Sequence, residues 1–171
     1  LPIEGIAGYN RAVQELILGK NSSAIKEQRV VTVQAPGGTG ALRIGADFLH
    51  RFFPSAGVWI CNPSWENHRQ LFEATGFAVS TYPYYNPETR ALDFNLMLDT
   101  IGKLPENSVV LLHACCHNPT GVDPDDGQWL KITDIFRNKK LIPFLDMAYQ
   151  GFGEGLDQDA RAVRHFSDSG I

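Results

Sequence analysis

The chain alternates between two hydrophobic periods. Ile6 to Leu18 carries apolar residues at helical spacing and stops at Gly19-Lys20, which predicts an opening helix. Arg29 to Gln34 is β-branched and reads as a strand. Pro36 to Gly40 breaks the pattern as a turn, and Ala41 to Phe53 resumes the helical period. Val58 to Cys61 is a short buried-strand run, followed by Asn62-Pro63-Ser64 and a predicted helix from Glu66 to Thr75. Phe77 to Thr81 reads as a strand and Phe94 to Ile101 as a helix. Val109 to His113 is apolar on both faces, as a central parallel strand should be. Asp126 to Asn138 is helical, Leu141 to Leu145 is a further short strand, and Asp157 to Phe166 closes with a helix. Strands alternating with helices of this size predict βαβ units, a mostly parallel sheet and a three-layer αβα architecture.

Composition narrows the function classes. With 171 residues, 43% hydrophobic and 20% charged, the chain has an ordinary globular make-up and no low-complexity linker or internal repeat. A net charge of −4 with scattered Lys and Arg offers no electrostatic footprint for nucleic acid. No apolar run approaches the ~20 residues of a membrane-spanning helix, and the N-terminus lacks the pattern of a signal peptide. The three cysteines, Cys61, Cys115 and Cys116, are an odd count, and adjacent Cys115 and Cys116 are a poor disulfide pair. The expectation is therefore a reducing, cytoplasmic setting. The start without Met and the end at Ser169-Gly170-Ile171 predict a piece of a larger domain, truncated at both ends.

The unusual residue clusters fall just after predicted strands: Gly37-Gly38-Thr39-Gly40, Asn62-Pro63-Ser64-Trp65, His113 to Gly121, and Asp146 to Tyr149. In open α/β sheets the ligand crevice lies beyond the carboxyl ends of the strands. The glycine turn followed by a helix is a cradle for a single phosphate group, or simply a helix N-cap; it is neither a Walker loop nor a dinucleotide fingerprint. Asp146 ends an apolar run, where a carboxylate needs a cationic or hydrogen-bonding partner. A protonated pyridine nitrogen is one such partner, and capping of the next turn is the plainer alternative. Tyr149 could aim its phenol into the same crevice. Asn118, before Pro119 and Gly121, would present its amide at the rim. Trp65 suits stacking on a flat ring or a peripheral core position, and His68 could orient a carboxylate or lie at the surface. The Cys and His residues around His117 invite zinc or cysteine-nucleophile readings. Adjacent cysteines without a second ligand cluster argue against the first, and the missing oxyanion donor against the second, so no metal is assigned.

Taken together, Gly37 to Arg43, Asn62 to His68, His113 to Gly121 and Asp146 to Phe152 resemble class I aminotransferases that depend on pyridoxal 5'-phosphate (PLP), specifically the aspartate and bacterial aromatic-amino-acid subgroup. The stretches run in the family's order across nearly the whole chain. The resemblance implies the large cofactor-binding domain of a fold-type I enzyme, a homodimer, and transamination between aspartate or an aromatic amino acid and a 2-oxo acid such as 2-oxoglutarate. It implies that Gly38 and Thr39 bind the PLP phosphate and that Trp65 stacks on the ring. Asn118 and Tyr149 would bond the phenolic oxygen, and Asp146 would pair with the ring nitrogen, supported from behind by His68 and His113. Asp146 and Tyr149 are the catalytic candidates, and Trp65 and Asn118 would also seat the substrate carboxylate.

The family's cofactor-binding lysine follows the Asp-x-Ala-Tyr motif by a few tens of residues, and none of the six lysines here matches it. The substrate-gripping arginines are expected outside this chain as well. A second function class therefore stands beside the enzyme: an inactive, truncated homologue serving as a binding module.

Overall fold

The computed structural model describes residues 2–171. Seven helices and six strands follow in the order α1 (Ala7–Leu18), α2 (Ser23–Lys26), α3 (Gly37–Phe52), β1 (Val58–Asn62), α4 (Glu66–Ala74), β2 (Val79–Pro83), β3 (Tyr85–Asn86), β4 (Ala91–Leu92), α5 (Phe94–Ile101), β5 (Val109–His113), α6 (Asp126–Lys139), β6 (Ile142–Asp146) and α7 (Arg161–Asp168). Four strands form a parallel sheet in the order β2-β1-β5-β6, and β3 and β4 form a small antiparallel pair.

Side-chain alternation along the sheet explains the three layers. Val58 and Ile60 of β1 and Val109 and Leu111 of β5 pack with Leu42, Ala46 and Leu49 of α3 and Leu71 and Phe72 of α4. Val110 and Leu112 point the other way, toward Met97 and Ile101 of α5, Ile132 and Phe136 of α6, and Phe166 of α7. Every residue of β5 is buried, so both its faces need apolar side chains. Leu111 is fully buried in this central strand. Leu111→Ala is expected to destabilise the fold by about 2–5 kcal/mol, measured as a shift of the urea midpoint with unchanged slope. A cost below about 1 kcal/mol would mean that the core is not packed on this strand.

Pro143 sits inside β6 without breaking it. Ile142 N–H donates to Ser108 O (2.9 Å), so the nitrogen of Pro143 points away from β5, to the side where β6 has no neighbour among the described residues.

Three sequence expectations need correction. Arg29 to Gln34 is not a strand; among the described residues it pairs with no strand and is pinned to α1 instead. Asn10 Nδ2 donates to Thr32 O (3.1 Å), and Gln14 Nε2 to Thr32 Oγ1 (2.8 Å). The glycines assigned to a turn form the first turn of α3, which starts at Gly37 rather than Ala41. The closing helix begins at Arg161, because Asp159 draws the preceding segment into a turn by accepting the Gly151, Gly153 and Glu154 amides.

Candidate active site

β5 and β6 end side by side, with His113 in register with Asp146. A cavity of about 190 Å³ opens at this end of the sheet; Gly38, Trp65, His113, Asn118, Asp146 and Tyr149 all line it. Thr39 does not line it but stands at its edge on α3, where Asn67 Nδ2 donates to Thr39 Oγ1 (3.3 Å) and ties the starts of α3 and α4 together. The residues singled out from sequence thus share one rim. They reach it from three strand ends and one helix start, since among the described residues no strand precedes Gly37.

Asp146 is held from behind. His68, buried on α4, places Nε2 2.8 Å from Asp146 Oδ2. The other carboxylate oxygen carries no hydrogen bond among the described residues, and Asp146 keeps 20% side-chain exposure toward the cavity. The polarity of this contact can be traced through the network. Asn118 N–H donates to His113 Nδ1 (3.2 Å), which leaves the His113 proton on Nε2. His113 Nε2 lies 3.4 Å from Ser64 Oγ, a long contact, and Ser64 Oγ lies 2.9 Å from His68 Nδ1. With Ser64 accepting from His113 and donating to His68, His68 Nε2 becomes the donor to Asp146. Burial and the neighbouring His68 push the pKa of His113 down to about 4, against an opposing pull from Asp146, which keeps the ring in the neutral form that the chain requires. Trp65 stands edge-on to His68, with ring centroids 5.3 Å apart, so its indole is fixed at the cavity wall.

The loop carrying Asn118 is locked by polar contacts. Asp123 accepts from Cys116 N–H (2.6 Å) and His117 N–H (2.8 Å). The His117 ring stacks on Tyr84 at 3.9 Å, and its nitrogens meet Thr120 Oγ1 (2.8 Å) and Cys61 Sγ (3.2 Å). Cys61, His113 and His117 therefore do gather within 4.8 Å, which the linear spacing concealed. Hydrogen bonds to one another and to the loop already engage these groups.

Sequence alone assigned no role to Ser64 or Asp123 and did not place Cys115 at the cavity. Cys115 also lines the cavity. The signal for Ser64 was its place four residues before His68, one helical turn away. Asp123 gave none, because its partners are backbone amides.

Among the described residues the cavity lining contains no lysine and one carboxylate, Asp146. A Cβ built on Gly38 would meet nothing within 4 Å, so the missing side chain leaves open space above the α3 backbone. Free amides at a helix start, an aromatic wall and a carboxylate with one unused oxygen form a donor set suited to a flat, phosphorylated cation.

This is an open α/β fold with a cavity at the carboxyl ends of its parallel strands. The chain belongs to the aminotransferase class I and II family, whose family model matches residues 1–171. It is 50% identical over 171 residues to the aromatic-amino-acid aminotransferase of Escherichia coli and 53% identical to the aspartate aminotransferase of Pseudomonas aeruginosa. Each match covers 100% of this chain and 43% of the relative, so the chain spans less than half the length of these proteins. The structure superposes with TM-score 0.99 and 53% identity on an aromatic-amino-acid aminotransferase from Burkholderia pseudomallei covalently bound to pyridoxal phosphate, covering 100% of this chain and 43% of that one.

Proposed function

We propose that residues 1–171 form part of the large, cofactor-binding domain of a PLP-dependent aminotransferase that works as a cytoplasmic homodimer. It moves an amino group between aspartate or an aromatic amino acid and a 2-oxo acid such as 2-oxoglutarate. The observation that carries the reading is Asp146, held by His68 in a cavity it shares with Trp65, Asn118 and Tyr149. Bound there, PLP supplies an electron sink for the bonds at the substrate α-carbon.

The chain's own residues bind and orient. Gly38 and Thr39 offer amides and a hydroxyl to the phosphate at the start of α3. Trp65 covers one ring face, and the Asn118 amide and the Tyr149 hydroxyl donate to the phenolic oxygen. Asp146 holds a proton at the ring nitrogen, and the chain from Asn118 N–H through His113, Ser64 and His68 fixes the carboxylate that does so. Trp65 and Asn118 also face the space where a substrate carboxylate would sit. No lysine among the described residues lines the cavity, so the covalent attachment implied by the family is not supplied by this span.

The test is a titration of the full-length protein with PLP, followed by addition of aspartate or phenylalanine and then 2-oxoglutarate. Stoichiometric binding and a spectral change reversed by the 2-oxo acid are expected. Trp65→Ala is expected to weaken PLP binding by about tenfold, the worth of one aromatic stack. A protein that binds PLP but shows no spectral response to any amino acid would overturn the transamination reading.

A further inference from the structure

A pair of adjacent thiols, one of them in the wall of the same cavity, has no part in the roles assigned above. Cys115 is buried in the wall between the cavity and a second one of about 230 Å³, and Cys116 is half-buried beside it. The two sulfurs and an oxygen of Asp159 lie within 4.8 Å of one another. Cys116 has φ +49°, in the left-handed region that a non-glycine residue seldom occupies. That conformation is held in place, since Asp123 accepts its amide at 2.6 Å. Gly153 gives the sulfur room, because a Cβ there would stand 3.2 Å from Cys116 Sγ. Asp159 itself is spoken for, with its oxygens taking the Gly151, Gly153 and Glu154 amides at 2.7 to 3.0 Å. That leaves the two sulfurs as donors, with Cys116 Sγ making only a long 3.9 Å contact to the Tyr149 carbonyl oxygen.

We infer that Cys115 and Cys116 form a chelating dithiol that takes a soft trivalent centre bound through two sulfurs, of the chemical class of trivalent organoarsenic compounds. A bridging atom suits this pair better than a direct disulfide. Consecutive Cα atoms are about 3.8 Å apart, below the roughly 4.4 Å at which ordinary disulfides begin. A large central atom between the sulfurs relieves that misfit. With phenylarsine oxide, two As–S bonds form while the arsenic–oxygen double bond and both S–H bonds break. The oxygen leaves with the two protons as water, and arsenic stays trivalent, so no oxidant or reductant is consumed. Burial, then the adjoining Cys116 and Asp159, push the Cys115 thiol up to about 12, and burial with Asp123 and Asp159 raises Cys116 as well, so both cysteines enter the reaction as neutral thiols. The site stands whether or not the chain serves transamination.

The experiment treats the reduced full chain with one equivalent of phenylarsine oxide and reads the adduct by intact mass and peptide mapping. The expected result is one phenylarsenic unit spanning the peptide that contains Cys115 and Cys116. It should survive excess monothiol and be released by a small dithiol, because two-point attachment raises retention by about 100-fold or more. Cys116→Ser and, separately, Cys115→Ala should each lose that factor, while Cys61→Ser keeps it. Cys116→Ser changes a half-buried side chain, so it tests the site even if Cys115→Ala folds poorly. Retention unchanged in both Cys116→Ser and a folded Cys115→Ala, or retention lost in Cys61→Ser, would overturn the assignment.

Discussion

Asp146→Ala in the full-length, PLP-loaded protein is expected to lower turnover by two to three powers of ten while leaving much of the cofactor bound. Asp146 is the one carboxylate among the described cavity residues, and His68 holds it through a single oxygen at 2.8 Å. Removing one partner of a desolvated charge pair costs about 3–5 kcal/mol, and each 1.4 kcal/mol in a barrier is about tenfold in rate. Most of that loss should fall on turnover. Phosphate and ring contacts at Gly38, Thr39 and Trp65 survive the substitution, whereas the proton held at the ring nitrogen matters most when charge develops during the reaction. Asp146→Asn keeps the shape but not the charge and should fall almost as far. Steady-state kinetics at saturating PLP, with cofactor content measured separately, check both variants. Near-normal turnover in a fully loaded Asp146→Ala enzyme would remove Asp146 from the proposed role.

The residues that could be read from sequence are those whose chemistry conflicts with their surroundings. Asp146 closes the run Ile142-Pro143-Phe144-Leu145, and Trp65 follows Asn62-Pro63-Ser64; both stand out in a linear reading and both line the cavity. Val109 to His113 was legible because a strand covered by helices on both faces tolerates no polar interruption. What escaped depends on partners far along the chain. The β-branched residues after Arg29 favour an extended backbone, but no strand lies alongside, and Asn10 and Gln14 of α1 hold the segment instead. Gly37 to Gly40 read as a turn because glycine disfavours helix interiors, yet at a helix start the propensity cost is small and the exposed amides remain free. Asp123 and Asp159 organise two loops by accepting backbone amides, and such contacts leave no periodic trace. The order of events behind Asp146 was equally hidden. Ser64 joins His113 to His68 only because β5 and the start of α4 meet in space.

The same buried histidines make the fold sensitive to acid, and stability is expected to fall steeply as the pH drops from about 6.5 toward 4. Burial, with the neighbouring His68, holds His113 at about 4, and burial with His113 and His68 holds His117 at about 3, against an ordinary value of 6.5. Both folded values lie below the unfolded one, so the unfolded chain binds more protons in this window. The stabilisation is therefore complete above about pH 6.5 and is lost as the pH falls toward the folded values. With about 1.4 kcal/mol per pKa unit, each ring accounts for on the order of 3 kcal/mol across the range. The groups facing them do not offer an escape. His113 meets Ser64, the His68 ring and the His117 ring, and the His117 ring meets Tyr84, Thr120 and Cys61, none of which is a carboxylate; Asp123 takes the His117 backbone N–H rather than the ring. Asp146 pulls the pKa of His113 upward but is outweighed. Urea unfolding between pH 7 and 4 measures the slope. His117→Asn removes one titrating ring and should flatten the acid limb by about half, even though losing the stack on Tyr84 lowers stability at pH 7. A wild-type midpoint that stays level from pH 7 to 4.5, or a His117→Asn variant with an unaltered acid slope, would show that these rings are not held neutral by the fold.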